Sequence, residues 1–285
     1  MIGLPLLRSS AQLRSRVKSW RAFGETVALV PLFGPPQAAH AGLMETAAGR
    51  ADRVLAALVP PVRTPDMDDS TPSPHEPAAA RFADEAGADA LYAPSPAVFR
   101  PAAFATRLRV AGLSEVLAGE DDPACFDAFA ADMARLFSQA RADVAVFCEC
   151  QWQRVAIARR ISEDFDLVGE IVAAEAERDD RGVPRLIADG EDVARAEAAA
   201  RLWRVLQRAA GDIAGGADAD ATLDAAADRL ADAGAEVEYL DLRDAVTLDE
   251  LPAVDPARTA RVFGAIELDG ARLADSVPLE RSAAF

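Results

Sequence analysis

A chain of 285 residues with 51% apolar residues can bury a sizeable core and is too apolar to be disordered over most of its length. Its formal net charge of −17 excludes nucleic acid as a partner, because phosphate binding needs clustered Lys and Arg, and argues against docking on anionic lipid. Lys18 is the sole lysine, and His40 and His75 are the only histidines, which limits any chemistry built on an amine or on paired imidazoles.

In chain order, residues 9–22 predict an amphipathic helix, with Leu13, Val17 and Trp20 on one face and Ser9 or Ser10 as its cap. Residues 25–33 form an apolar run rich in β-formers, ended by Gly34-Pro35-Pro36, and predict a buried strand leading into a turn. A helix over 38–51 and a second apolar strand over 54–59, stopped by Pro60-Pro61, complete a βαβ unit and hence a parallel sheet. The proline-rich stretch 64–77 predicts a surface loop. Beyond it come a helix (78–86), a strand (90–93), a helix (126–139), a strand (144–148), a helix (153–164) and a strand (167–173). This alternation predicts an α/β doubly wound sheet. The remainder differs: helices over 189–210 and 221–234, then strands over 237–242, 262–268 and 272–274, predict a smaller α+β unit with an antiparallel sheet. The expected division is residues 1–175 and 176–285.

Cys125, Cys148 and Cys150 are too few and too close for a disulfide framework. No basic segment precedes an N-terminal apolar run, and no uninterrupted apolar stretch approaches the ~18 residues of a spanning helix. A cytoplasmic location is the default expectation. The dinucleotide G-x-G-x-x-G fingerprint, a Walker A loop, a nucleophile elbow and an EF-hand are all absent.

Six segments in order carry a resemblance: VALVPLFG (27–34), EAGADALYAPS (85–95), VAGLSEVLAG (110–119), MARLFSQARADVAVF (133–147), AEVEYLDLRD (235–244) and ARLADS (271–276). Together they resemble the pantothenate synthetase (pantoate–β-alanine ligase) family over nearly the whole chain. The resemblance implies a Rossmann-like nucleotidyltransferase domain with a small C-terminal lid, usually as a homodimer. It also implies a family reaction that uses ATP and Mg²⁺ to make pantoyl adenylate, from which β-alanine displaces AMP.

Carried over position by position, the family's nucleotide-binding residues fall on Pro31, Phe33, Gly34, His40, Glu149 and Arg178. Its catalytic cations fare worse. The family's His-x-x-His turn is PPQAAH here, with Gln37 in place of the first His and only His40 kept. Its Lys falls on Cys150 in FCECQW, and its neighbouring Asp on Gln151. Its Ser-Ser-Arg-Asn segment falls on Leu186, Ile187, Ala188 and Asp189. Adenylate formation loads negative charge onto a leaving pyrophosphate and needs fixed donors aimed at it. In the pantoate pocket the family's Asn-Pro-x-Gln becomes Pro60-Pro61-Val62-Arg63, and its Gln-Gln pair becomes Gln153-Arg154. Its Arg-Pro-Gly-His-Phe turn becomes Asp122-Pro123-Ala124-Cys125-Phe126.

These departures lead to the expectation of a diverged homologue whose ligase activity is lost or greatly weakened. Such a chain would be a pseudoenzyme, a ligand-binding module or an enzyme for another substrate. It would bind a different small anion, since Arg63 and Arg154 could form a fork for carboxylate or phosphate. The alternatives are a working pantoate–β-alanine ligase and a metal- or thiol-dependent protein. In the last, Cys125, Cys148 and Cys150, with His40, would offer soft ligands to Zn²⁺ or copper. Each of His40, Cys150, Arg63 and Arg154 follows the C-terminal end of a predicted strand, so they are expected to converge on one cleft.

Overall fold

The computed structural model describes residues 3–37, 39–61, 71–175, 177–183, 193–268 and 270–279. Six strands form one sheet in which every adjacent pair is parallel: β1 (Leu6–Leu7), β2 (Val27–Phe33), β3 (Arg53–Val59), β4 (Ala90–Tyr92), β5 (Val144–Cys148) and β6 (Glu170–Ala174). Their order is β1-β4-β3-β2-β5-β6. The central strands are apolar on both faces, as a sheet covered by helices on each side requires. Val27 and Leu29 point to one side, and Ala28, Val30 and Leu32 to the other, all inaccessible to solvent.

On the first face pack α1 (Ser10–Ala22), α6 (Pro123–Ala140) and α7 (Trp152–Phe165), through Leu13, Val17, Trp20, Phe129, Met133, Phe137, Val155 and Ile157. On the second lie α2 (Ala39–Ala48) and α3 (Glu76–Glu85), through Leu43, Met44, Ala47, Ala79 and Ala83. Two single-turn helices, α4 (Pro96–Phe99) and α5 (Ala118–Asp121), fill the connection from β4 to α6. Ser9 caps α1, its hydroxyl accepting from the Gln12 amide at 3.2 Å, and Asp122 caps α6, accepting from the Cys125 amide at 3.1 Å.

A second unit follows. Helices α8 (Val193–Ala214) and α9 (Ala219–Ala231) cover an antiparallel sheet of β7 (Glu236–Asp244), β8 (Ala260–Leu268) and β9 (Ala271–Pro278), in that order. Its core gathers Leu202, Leu206, Leu230, Leu242, Val262 and Ile266. Leu248 and Phe263 instead enter the core of the first unit, and the Trp152 indole N–H donates to the Ala245 carbonyl at 2.8 Å. The two units therefore share a packed seam beside the ends of β2 and β5. None of the described helices is long and apolar enough to cross a membrane.

The doubly wound sheet and the small antiparallel sheet agree with the sequence reading, but bounds differ: β6 starts at Glu170 and not at 167, and β9 runs over Ala271–Pro278 and not only 272–274. The two-residue strand β1 is too short to give a period, and α4 and α5 are too short to show a face. The loop expected over 64–77 ends two residues early, because Glu76 already opens α3 with Pro77 in its first turn. Residues 64–70 of that loop, and Arg63 before it, lie outside the described residues.

Candidate active site

In a parallel sheet, ligands bind beyond the carboxyl ends of the strands, where the strand order reverses. Here successive strands run outward from β2 through β3 to β4, then outward through β5 to β6 on the other side, so the reversal lies between β2 and β5. Two adjoining cavities open there. The first, about 260 Å³, is lined by residues that include Pro31, Phe33, Gln37, His40, Cys148 and Cys150. Its far wall comes from the second unit, through Arg195, Arg272, Leu273 and Ala274. The second, about 230 Å³, is bounded by Trp152, Gln153, Arg154, Phe126, Tyr239 and Phe263, with Asp275 and Ser276 closing it. Cys150, Gln151 and Ala274 belong to both.

His40 sits on the first turn of α2, only 7% exposed, its ring edge-on to Phe82 at 6.1 Å. Its Nδ1 lies 2.9 Å from the Gln37 amide nitrogen and 3.2 Å from the Gln37 carbonyl. Burial pushes its pKa below the ordinary 6.5, the Gln37 backbone offsetting this only in part. That favours a neutral ring whose Nδ1 accepts from the Gln37 N–H. The surviving imidazole is therefore uncharged near neutral pH.

Cys150 follows Cys148 in the 3₁₀ turn Glu149–Gln151 that joins β5 to α7, and the two are disulfide-bonded. The expectation of too few cysteines for a disulfide framework holds only for long-range pairing; this bridge is local. Cys125 is free and exposed at the start of α6, against the Arg154 guanidinium. The three cysteines do not come together as a ligand set. Among the described residues, no group of three or more His, Cys, Asp or Glu side chains could hold a metal ion.

Arg154 extends along α7 with its guanidinium over the rings of Phe33, at 5.4 Å, and Phe129, at 5.6 Å, which themselves pack together at 5.7 Å. Its Nη1 donates to the Gln151 side-chain oxygen at 3.2 Å. Among the described residues it makes no ion pair, and burial pushes its pKa down, with only the Cys125 thiol opposing. Gln153 is spent on the fold: its amide nitrogen donates to the Leu113 carbonyl at 2.9 Å and the Val116 carbonyl at 2.7 Å. Gly119, in the single-turn helix α5 just beyond, permits this approach, because a Cβ there would lie 2.2 Å from the Ser114 carbonyl oxygen and 3.3 Å from the Gln153 amide nitrogen.

Of the other residues singled out from the sequence, Gly34 turns the chain after β2 at φ +86°. Glu149 faces Arg261 at 3.6 Å. Arg178 lines neither cavity: it makes a two-point pair with Asp275, at 2.8 and 3.1 Å, and stacks on Trp203 at 5.1 Å. Residues 186–189 lie outside the described residues, as does Arg63, so the expected fork between Arg63 and Arg154 lies partly outside them too. His40 and Cys150 do share one cavity, and Arg154 and Cys150 the next.

Sequence reasoning passed over three arginines. Arg272 reaches the first cavity from β9 while pairing with Glu238 at 2.6 Å. Arg195, on α8, lines the same cavity. Arg261 is 3% exposed, stacked on Trp152 at 3.9 Å and bonded to Ser276, and desolvation pulls its pKa down to about 10. ARLADS marked Arg272 through the resemblance; nothing local marks Arg195 or Arg261 in so arginine-rich a chain.

The family model for pantoate-beta-alanine ligase matches residues 5–278. The chain is 36% identical over 281 residues to the pantothenate synthetase of Rhodospirillum rubrum, covering 97% of this chain and 99% of that one. It is 37% identical over 284 residues to that of Cereibacter sphaeroides strain ATH 2.4.9, covering 96% and 99%. The crystal structure of pantothenate synthetase from Thermus thermophilus superposes with a TM-score of 0.84 at 25% identity, over 97% of this chain and 99% of that one. The pantoate-beta-alanine ligase of Francisella tularensis, crystallised with β,γ-ATP and β-alanine, shares the fold with a TM-score of 0.74 at 17% identity, over 99% and 100%. In sequence and in fold alike, this chain belongs to the pantoate–beta-alanine ligase family.

Proposed function

We propose that this chain binds a small carboxylate at Arg154 and has lost, or retains only weakly, the ATP-dependent condensation of pantoate with β-alanine. Arg154 carries the reading. A guanidinium resting over a pair of adjoining aromatic rings, with no carboxylate partner among the described residues, is an uncompensated charge at the wall of a cavity. Such a charge is costly unless a counter-anion reaches it. The rings of Phe33 and Phe129 back the guanidinium, and its remaining N–H groups suit a carboxylate's two oxygens. Phe126, Trp152, Tyr239 and Phe263 would cover the ligand's apolar part.

The loss of ligase chemistry rests on the first cavity. Where the family's phosphate-handling cations fall, the chain offers uncharged Gln37, neutral His40 and the bridged Cys150. Arg195 and Arg272 supply positive charge from the opposite wall, but Arg272 is held by Glu238. These residues do not reproduce the set that activates ATP, and removing one such donor typically costs ~10²–10³ in rate. The test is direct: with Mg²⁺-ATP, pantoate and β-alanine, no AMP or pantothenate should form where the Rhodospirillum rubrum relative turns over. In calorimetry, a panel of small mono- and dicarboxylates should yield a saturable binder, weakened at least ~10-fold by Arg154→Gln. Turnover comparable to the relative's would overturn the loss of activity; unchanged affinity in the variant would overturn the role of Arg154.

A second reading, an active pantoate–β-alanine ligase, is favoured by the names of relatives 36–37% identical over almost the full chain. Tight Mg²⁺-ATP binding would support it.

A further inference from the structure

The Cys148–Cys150 bridge, which the reading above uses only as a missing cation, stands where the two cavities meet. Cys148 ends β5 and is 6% exposed, packed within the core on the α2 face of the sheet. Cys150 is half-buried and lines both cavities, whereas Cys148 lines only the first. The two Cα atoms are 5.3 Å apart, within the range a disulfide requires. The two sulfurs therefore differ in access, and a small molecule entering either cavity meets Cys150.

The backbone favours one direction of opening. The Cys150 amide N–H already points at the Cys148 sulfur, 3.4 Å away, and would stabilise a thiolate released there. The first cavity brings two further guanidiniums to its wall, Arg195 and Arg272, the latter paired with Glu238. Positive surroundings lower thiol pKa values and favour the thiolate, the reactive form.

We propose that Cys148–Cys150 is a reversible disulfide–dithiol site that exchanges with a low-molecular-mass thiol. The incoming thiolate attacks Cys150 Sγ, forming a mixed disulfide. The protein S–S bond breaks, and its electron pair goes to Cys148 Sγ, which takes up a proton. A second small thiolate attacks the sulfur of the bound small molecule, releasing the small disulfide and leaving Cys150 as thiolate, which takes up the second proton. The net change is one protein disulfide and two small thiols converted to two protein thiols and one small disulfide. The reverse reaction uses the small disulfide as oxidant. Because Cys150 forms part of both walls, the state of the bridge sets the partition between the cavities.

The test uses the full chain carrying Cys125→Ser, so that only this pair can react. The folded protein is equilibrated in glutathione buffers of graded ratio, quenched with acid, alkylated and weighed. Oxidised protein should show no alkylatable thiol, and reduced protein two, with unchanged circular dichroism. Adding Cys148→Ser should give a protein that takes one glutathione at Cys150. Adding Cys150→Ser instead should leave Cys148 reacting at least ~10-fold more slowly, because it is buried. Two free thiols in the oxidised buffer, opening only after denaturation, or equal rates for the two single-cysteine proteins would overturn the proposal. If either serine variant fails to fold, the titration of the Cys125→Ser chain still decides it.

Discussion

His40 shows how far a residue's chemistry departs from its identity. Its lowered pKa means the unfolded chain binds a proton where the folded chain does not, over the window below 6.5. Stability from this group is complete above pH 6.5 and is lost as pH falls toward the folded value. Denaturant titrations should therefore show stability declining below pH 6.5, and His40→Asn, which keeps an acceptor for the Gln37 amide, should flatten that part of the curve. An unchanged slope would mean that another group is responsible. The sequence marked His40, Gln37, Cys150 and Arg154 because the resemblance numbered them, but the bridge, the neutral ring and the aromatic pair under Arg154 were not readable from it. Each depends on what another stretch of chain brings alongside: Phe129 from α6 for Arg154, Phe82 from α3 for His40.

Elements announce themselves in sequence when they repeat a pattern long enough to count. β5 was read to the residue, because VAVFC is wholly buried and bounded by polar residues at both ends. Helix α6 begins at Pro123, three residues ahead of the apolar periodicity, since its start is set by Asp122 and Pro123 rather than by burial. The segment from Val110 to Gly119, which runs into α5, has no period, yet it is fixed by backbone contacts. Gly119→Ala would drive a methyl into the Ser114 carbonyl and push on the Gln153 amide. A loss of roughly 2–3 kcal/mol is expected from thermal or urea unfolding, with carboxylate binding weakened as well, because Gln153 and Arg154 are neighbours on α7. Wild-type stability in this variant would show that the segment yields easily.

At the scale of the whole molecule, one ion pair joins the segment after the parallel sheet to the last described strand. Arg178 and Asp275 have side chains only 13% and 6% exposed. Arg178→Ala leaves the Asp275 carboxylate buried without its cation and should cost about 3 kcal/mol in urea unfolding; a change below about 1 kcal/mol would show that water reaches Asp275. That same strand, β9, gives Arg272, Leu273 and Ala274 to one cavity and Ala274, Asp275 and Ser276 to the other. A ribosome makes β9 after every other strand of both sheets. A growing chain that has completed the whole parallel sheet still holds half a cleft, open along the side where β9 will lie. Whatever ligand the cleft takes cannot brace the sheet during synthesis; it can only select chains whose final strand has already docked.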